Sequence, residues 1–347
     1  MRLNVIGTPC RRATRRRALR RRGHPCSRLR HRKLPRSSLS VKSESQSAAT
    51  MVGVTAQMAM GTAGFEGRVI AAVPNAVYMQ SASGELLWMT TPGNVIHARA
   101  VIAPCHLRGL PPDVTITLDH GWLTVGSSFS VEVAHAPVWV PPLVGPESAT
   151  DARMAASSFM TLLKAITPIA PSSGFAPAIA YVSSTATFAA TPADVELFAG
   201  SESVRGVIDS VSNRQSDTLQ KAAGLLGLGP GLTPSGDDFA GGLVFALRAL
   251  HVAYPDRFPW DDSSARDMVA RAREQTNGIS AELLHDHIKG RGAGPLHDLA
   301  YAVLTAQPEE RLMPAAEGLM RIGRTTGWDI LTGFCAGMLL LCHESRS

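Results

Sequence analysis

Cysteine, aromatic residues and charge are all scarce in this chain. Its 347 residues hold five cysteines (Cys10, Cys26, Cys105, Cys335 and Cys342), with no CxxC pair among them. An odd, scattered set argues against a disulfide framework or a zinc ribbon and for buried thiols in a reducing compartment. No stretch reaches the roughly 18 apolar residues of a membrane span. The longest, ILTGFCAGMLLLC at 330–342, is too short and includes Thr332, so it predicts a buried helix. A secretory apolar region and a GxSxG elbow are also missing, which leaves no signal for secretion and none for a serine nucleophile. These absences predict a cytoplasmic protein with no membrane partner.

Acidic residues are missing from the first 42 positions, which hold 15 of the 34 Lys and Arg. After Glu44, 19 basic residues face 27 acidic ones, a net charge of −8. The overall charge of +6 therefore belongs to a tail, and the body lacks the balance of a nucleic-acid-binding fold. Residues 1–50 are too charged and too aperiodic to fold alone. Three readings fit them: an over-extended start with Met51 as the initiator, an Arg- and Ser-rich organelle transit peptide, or a tail for nucleic acid or an anionic surface.

Residues 51–148 predict a β-rich domain. Short runs at 68–73, 76–80, 85–89, 113–118, 122–126 and 129–133 are bounded by Gly, Pro, Asn or Ser. Their close spacing suggests a small barrel or sandwich, closed by the Pro-rich 136–147 as a linker or covering strand. Residues 149–347 predict a mainly helical domain, with helices near 151–166, 237–251, 263–276, 280–290, 295–305, 315–323 and 328–342. The ambiguous 176–194 is expected to be a loop with some strand. The fold class is thus α+β.

Within the helical region, LLGLGPGLTPSGDDF (225–239) is the densest motif. Gly231 and Gly236 have P-loop spacing, but Asp237 and Asp238 stand where Lys and Ser or Thr should follow, so it is not a Walker A site. Gly227, Gly229 and Gly231 lack the spacing of the dinucleotide fingerprint. Two readings remain. The glycine N–H groups, with Thr233, Ser235 and Gly236, form a nest for an anionic oxygen, and the aspartates hold a cation or a substrate amide. Alternatively Asp237 is an N-cap, Asp238 a first-turn acid, and the glycines let helices cross closely.

A second stretch, RIGRTTGWDILTGFCAG (321–337), repeats this grammar with Thr326, Gly327 and Asp329. Convergence of both helix starts on one site would join two positive helix ends to three carboxylates. A separation beyond about 12 Å, more than one small ligand spans, would exclude it. In TNGISAELL (276–284), Ser280 reads as an N-cap, while Thr276 and Ser280 could also face a pocket. His285 and His287, two apart on a helix, point away from each other and make a poor metal pair.

Taken together, GLGPGLTPSGDDFAGGL, TNGISAELL, RIGRTTGWDILTGFCAGM and the N-terminal FEGRVIAAVPNAVYMQSASGELLWM resemble an uncharacterised-domain family (DUF2877-type) over residues 63–343. That family includes the AllH-like subunit of the oxamate carbamoyltransferase of allantoin degradation, in purine catabolism. The resemblance implies one subunit of a heteromeric transferase that interconverts oxalurate and phosphate with oxamate and carbamoyl phosphate. It also implies FdrA-like and AllG-like partner subunits, often with a carbamate kinase. On this reading Asp237, Asp238 and Asp329 are the catalytic candidates, and the two glycine–hydroxyl segments bind a small anionic substrate. Mg2+ is the cation the aspartates would take. The competing expectation is a non-catalytic assembly or ligand-sensing subunit whose motifs are structural.

Overall fold

The computed structural model describes residues 45–61, 65–187 and 201–346. The basic segment up to Glu44 and the end of the ambiguous stretch, 188–194, lie outside them. From Ser45 the chain runs β1 (Ser45–Ala48), β2 (Met51–Gly53), α1 (Val54–Met60), β3 (Glu66–Val73), β4 (Ala76–Ser81), β5 (Leu86–Thr90), β6 (Ala100–Ile102), β7 (Thr115–Asp119), β8 (Trp122–Val125), β9 (Phe129–Glu132) and β10 (Val138–Trp139). All ten strands join one curled, half-barrel sheet in the order β1-β9-β8-β7-β3-β4-β5-β6-β2-β10. The α+β architecture of a β region followed by helices is therefore as expected.

Strand alternation builds this sheet. In β4 every second residue is buried (Val77, Met79, Ser81), and in β8 Leu123 and Val125 point the same way. Val77, Met79, Leu123 and Val125 join one apolar cluster with Phe65, Met89, Ile116 and Phe129. The β7–β8 hairpin turns on His120 and Gly121, with φ of 47° and 82°, the backbone that a two-residue turn of this hand needs. Ser45–Ala48, assigned with the tail by composition, is an edge strand parallel to β9. Of the Pro-rich 136–147, only Val138–Trp139 becomes a strand, parallel to β2 at the other edge.

The helices follow: α2 (Ala152–Ile166), α3 (Ala178–Thr187), α4 (Ser201–Ser212), α5 (Thr218–Ala223), α6 (Ser235–Ala253), α7 (Asp262–Gln275), α8 (Gly278–Ile288), α9 (Gly294–Leu304), α10 (Glu309–Met320) and α11 (Thr326–Met338). Residues 178–187, expected to be loop or strand, are helical. Ala178, Ile179, Val182 and Ala186 supply a buried helical stripe that β-branched neighbours had obscured. In α8 the N-cap is Asn277, whose carboxamide oxygen accepts from the N–H groups of Ile279 and Ser280, so Ser280 does not cap.

The core of this region is the α6–α11 pair. A Cβ at Gly242 would run into the Ile330 carbonyl, and one at Gly333 into the Phe239 carbonyl. Two backbones in such contact leave no room for a side chain at the crossing. Phe239, Leu243, Leu331 and Phe334, all fully buried, pack around it.

A buried polar cluster ties the sheet to the helices. Arg99, just before β6, donates from Nε and Nη2 to the carboxylate of Asp286 on α8, the second contact at 3.0 Å. Its Nη1 donates to the Leu86 carbonyl at 3.1 Å, and Nη2 also reaches Glu282 at 3.2 Å. Around this pair sit His97, His287 and His297, all buried. His297 Nε2 accepts from the Gly292 N–H at 3.0 Å, so its Nδ1 carries the proton to the Pro142 carbonyl at 2.8 Å. The HDH segment is therefore structural, with Asp286 as the charged partner of a distant arginine.

Candidate functional site

The starts of α6 and α11 meet. The hydroxyls of Thr233 and Thr326 lie 3.1 Å apart, well inside the reach of one small ligand. The structure therefore brings together the two segments that the sequence singled out. Between them the carboxyls of Asp238 and Asp329 interact electrostatically.

Neither helix is capped by an aspartate. Pro234 precedes α6, Thr325 precedes α11, and neither makes a side-chain cap. The aspartates sit within the first turn of their helices, on the buried side. Asp237 is therefore not an N-cap, while the rest of that alternative holds: Asp238 is a first-turn acid, and Gly236, Gly242 and Gly333 allow close backbone approach.

Asp237 has a full set of partners. Its Oδ1 accepts from the Gly227 N–H at 2.6 Å. Its Oδ2 accepts from the Ser280 hydroxyl at 2.6 Å and from the Thr276 hydroxyl. One carboxylate thus clamps the glycine loop, the end of α7 and the start of α8. Thr276 and Ser280 do face the site region, but toward this clamp.

Asp238 and Asp329 are different. Asp329 Oδ1 accepts from the Phe175 N–H at 2.6 Å, in a turn where Gly174 has φ of 59° and no space for a Cβ. Its Oδ2 is buried without a hydrogen-bond partner, and so is Oδ2 of Asp238. Burial, and then the charge of Asp329, push the Asp238 carboxyl well above the usual carboxylate range, although the hydroxyls of Thr326 and Thr233 partly offset this. Burial likewise raises Asp329, against hydrogen bonds from Phe175, Ser235 and Thr325. Two interacting buried carboxyls resist ionising together. Tyr78 of β4 belongs to the same neighbourhood; burial and the charge of Asp238 raise its phenol.

The loop itself is exposed from Gly227 to Gly231. Gly229 and Gly231 have φ of 119° and 103°, which only glycine adopts freely. Among the described residues, no backbone carbonyl accepts from the N–H of Gly229, Gly231, Thr233 or Ser235, nor from that of Thr326. Gly236 and Gly327 are buried and pack against the carbonyls of Leu225 and Leu319, so their role is close approach. Among the described residues no group of three metal-ligating side chains occurs. The Asp238–Asp329 pair alone could hold a cation, in the manner of Mg2+ shared with substrate oxygens.

Sequence reasoning missed Tyr78, Gly174–Phe175 and Arg99, because each is distant in sequence from the partner that gives it meaning. No local signal could have found them.

Buried histidines and raised carboxyls together set an acid response. Burial lowers His287 and His297 to about 4 and His97 to about 3. Below pH about 6.5 the unfolded chain takes up protons that the folded chain refuses, so stability falls until those lower values are reached. Raised Asp238 and Asp329 oppose this by holding protons in the folded chain. Three rings against two carboxyls leave a loss of about 1–4 kcal/mol per pH unit between pH 6 and 5. Urea midpoints at pH 7.5, 6 and 5 check it, and a flat or rising series would contradict it.

No helix among the described residues is long and apolar enough to cross a membrane. No solved structure matches the chain. Residues 225–338, from the glycine loop through α11, match the family model of the oxamate carbamoyltransferase subunit AllH, and over this segment the chain is AllH-like, as its glycine–aspartate motif predicts.

Proposed function

We propose that the meeting point of α6 and α11 is the small-anion site of an oxamate carbamoyltransferase subunit, acting on carbamoyl phosphate and oxamate. The observation that carries this reading is the pair of buried carboxylate oxygens, Asp238 Oδ2 and Asp329 Oδ2, with no partner in the folded chain. A protein stabilised only for folding would avoid two such groups side by side. The substrates offer what they lack, since a carbamoyl or oxamate –NH2 presents two N–H donors.

The chemistry follows from those groups. The oxamate nitrogen attacks the carbamoyl carbon, the new C–N bond forms, and the C–O bond to phosphate breaks with its electron pair on the leaving phosphate. The nitrogen loses a proton, which the ionised member of the aspartate pair accepts. The N–H groups of Gly229, Gly231 and Ser235, with the hydroxyls of Thr233 and Thr326, stabilise the developing oxyanion. Tyr78 adds a further donor. Asp237 acts through the loop it clamps and is a positioning residue. Of the two cations in 321–337, Arg321 pairs with Glu317 at 3.8 Å, leaving exposed Arg324 beside the α11 start for phosphate. FdrA-like and AllG-like subunits would complete the enzyme.

The test is calorimetric titration of the full chain with carbamoyl phosphate and with oxamate, with and without Mg2+. Saturable binding that Asp329→Asn weakens at least tenfold supports the site. Binding unaffected by Asp329→Asn sinks it. Tightening by Mg2+ would assign the pair to a cation instead of the –NH2.

A second reading, a non-catalytic assembly or ligand-sensing subunit, is favoured by the saturated clamp at Asp237 and the glycine contacts of the α6–α11 crossing. On that reading Asp238→Asn and Asp329→Asn leave a reconstituted transferase fully active.

A further inference from the structure

The C-terminal half of α6, helix α7 and the end of α8 line an open cavity of about 570 Å3. Five cations line it: Arg248, Arg266, Arg273, Lys289 and Arg291, against the single carboxylate of Asp262. These are five of the 19 Lys and Arg that follow Glu44, in a body that is otherwise acidic. Arg273 lies 3.8 Å from Glu282. No carboxylate among the described residues lies within ion-pair distance of the other four. Arg248 and Arg291 are half-buried. Arg248 is also held over the Trp260 ring, 5.2 Å from its centre, and Arg291 donates to the Thr55 hydroxyl at 3.2 Å.

Like charges gathered in a concave, partly desolvated place repel one another, and a bound anion relieves that. A cavity of this volume is the size of a small-molecule site. Its Lys289 lies about 13 Å along the axis of α8 from Ser280, and its Arg248 about 15 Å along α6 from Asp238. It is therefore separate from the aspartate site. We infer that this cavity binds a compact ligand bearing two or three linked phosphate groups. Cations from α6, from α7 and from the segment just past α8 match several phosphates better than one. A nucleic acid would have to extend beyond the cavity over an acidic surface, which repels it. Trp260 and Thr55 hold two of the guanidinium groups in place, which reduces what binding costs in side-chain freedom.

Titration of the full chain with inorganic tripolyphosphate at 150 mM salt tests this. The Arg-rich N-terminal segment attracts polyanions in every variant, so the reading is the difference between variants. The double variant Arg248→Gln with Lys289→Gln should bind at least tenfold more weakly than the wild type. Arg271→Gln, on the same helix as Arg266 but not lining the cavity, should bind as the wild type does. Equal affinity in the double variant and the wild type would overturn the proposal. So would displacement of tripolyphosphate by a poly-glutamate peptide at lower concentration, which would make the cavity a docking place for an acidic protein segment. Unchanged circular dichroism of the double variant confirms that the loss is not one of folding.

Discussion

Replacing Arg99 by alanine is expected to destabilise the protein by about 3–5 kcal/mol, a large share of the roughly 5–15 kcal/mol that holds a typical domain folded. The loss arises because Asp286, whose side chain is only 1% exposed, would be left charged with its main partner gone. The surrounding rings offer little help, since His97 and His287 are held neutral by burial. Arg99→Lys should lose less, keeping the charge but not the two-pronged contact. The double variant Arg99→Met with Asp286→Leu should recover much of the loss, because removing both charges removes the orphan as well. Urea denaturation of the four proteins measures this. A loss below about 1 kcal/mol in Arg99→Ala would mean that Asp286 is solvated, contrary to its burial.

Asp238→Asn is expected to raise stability at neutral pH while removing function. The side chain keeps its shape, but the buried charge that burial and Asp329 both oppose is gone. Relief of one orphaned buried group is worth about 1–3 kcal/mol, or about 2–4 °C in melting temperature per kcal/mol. The pH dependence separates this from a simple packing gain. A carboxyl raised on folding binds its proton more tightly in the folded chain, so its cost is absent at low pH and grows as pH rises above about 4. The advantage of Asn should therefore be small near pH 4 and largest at and above neutrality. In a reconstituted transferase the same variant should lose about 100-fold or more in kcat/KM if Asp238 takes part in proton transfer. A variant that is both less stable and fully active would place Asp238 among the packing residues. Gain in one property with loss in the other is the expected mark of a site held under electrostatic strain.

Much of this molecule is legible without coordinates. Short runs such as 76–80 and 122–126, bounded by turn residues, predict a β-rich region, because Gly, Pro, Asn and Ser end strands. The spacing in 151–166 predicts α2 almost to its ends, since a four-turn apolar stripe has few other uses. The glycine–aspartate run announces an unusual backbone, because that many glycines and prolines are tolerated only where a specific shape is required. Residues 178–187 were not legible, because their Ala, Ser and Thr content fits helix and loop equally and their burial against other helices decides. Ser45–Ala48 was hidden for a similar reason. Its pairing with β9, more than eighty residues away, makes it a strand.

What the sequence by itself determined is therefore the α+β order of elements, the acidic body behind a basic segment, and the two motifs that matter. Only the tertiary structure decided that these motifs share one place, that Asp237 is a clamp, and that Asp238 and Asp329 each keep an unpartnered oxygen. Spacing along a chain fixes which residues share a face of one element. Whether a carboxylate is satisfied depends on groups such as the Phe175 N–H and the Ser280 hydroxyl, which reach it from 154 and 43 residues away.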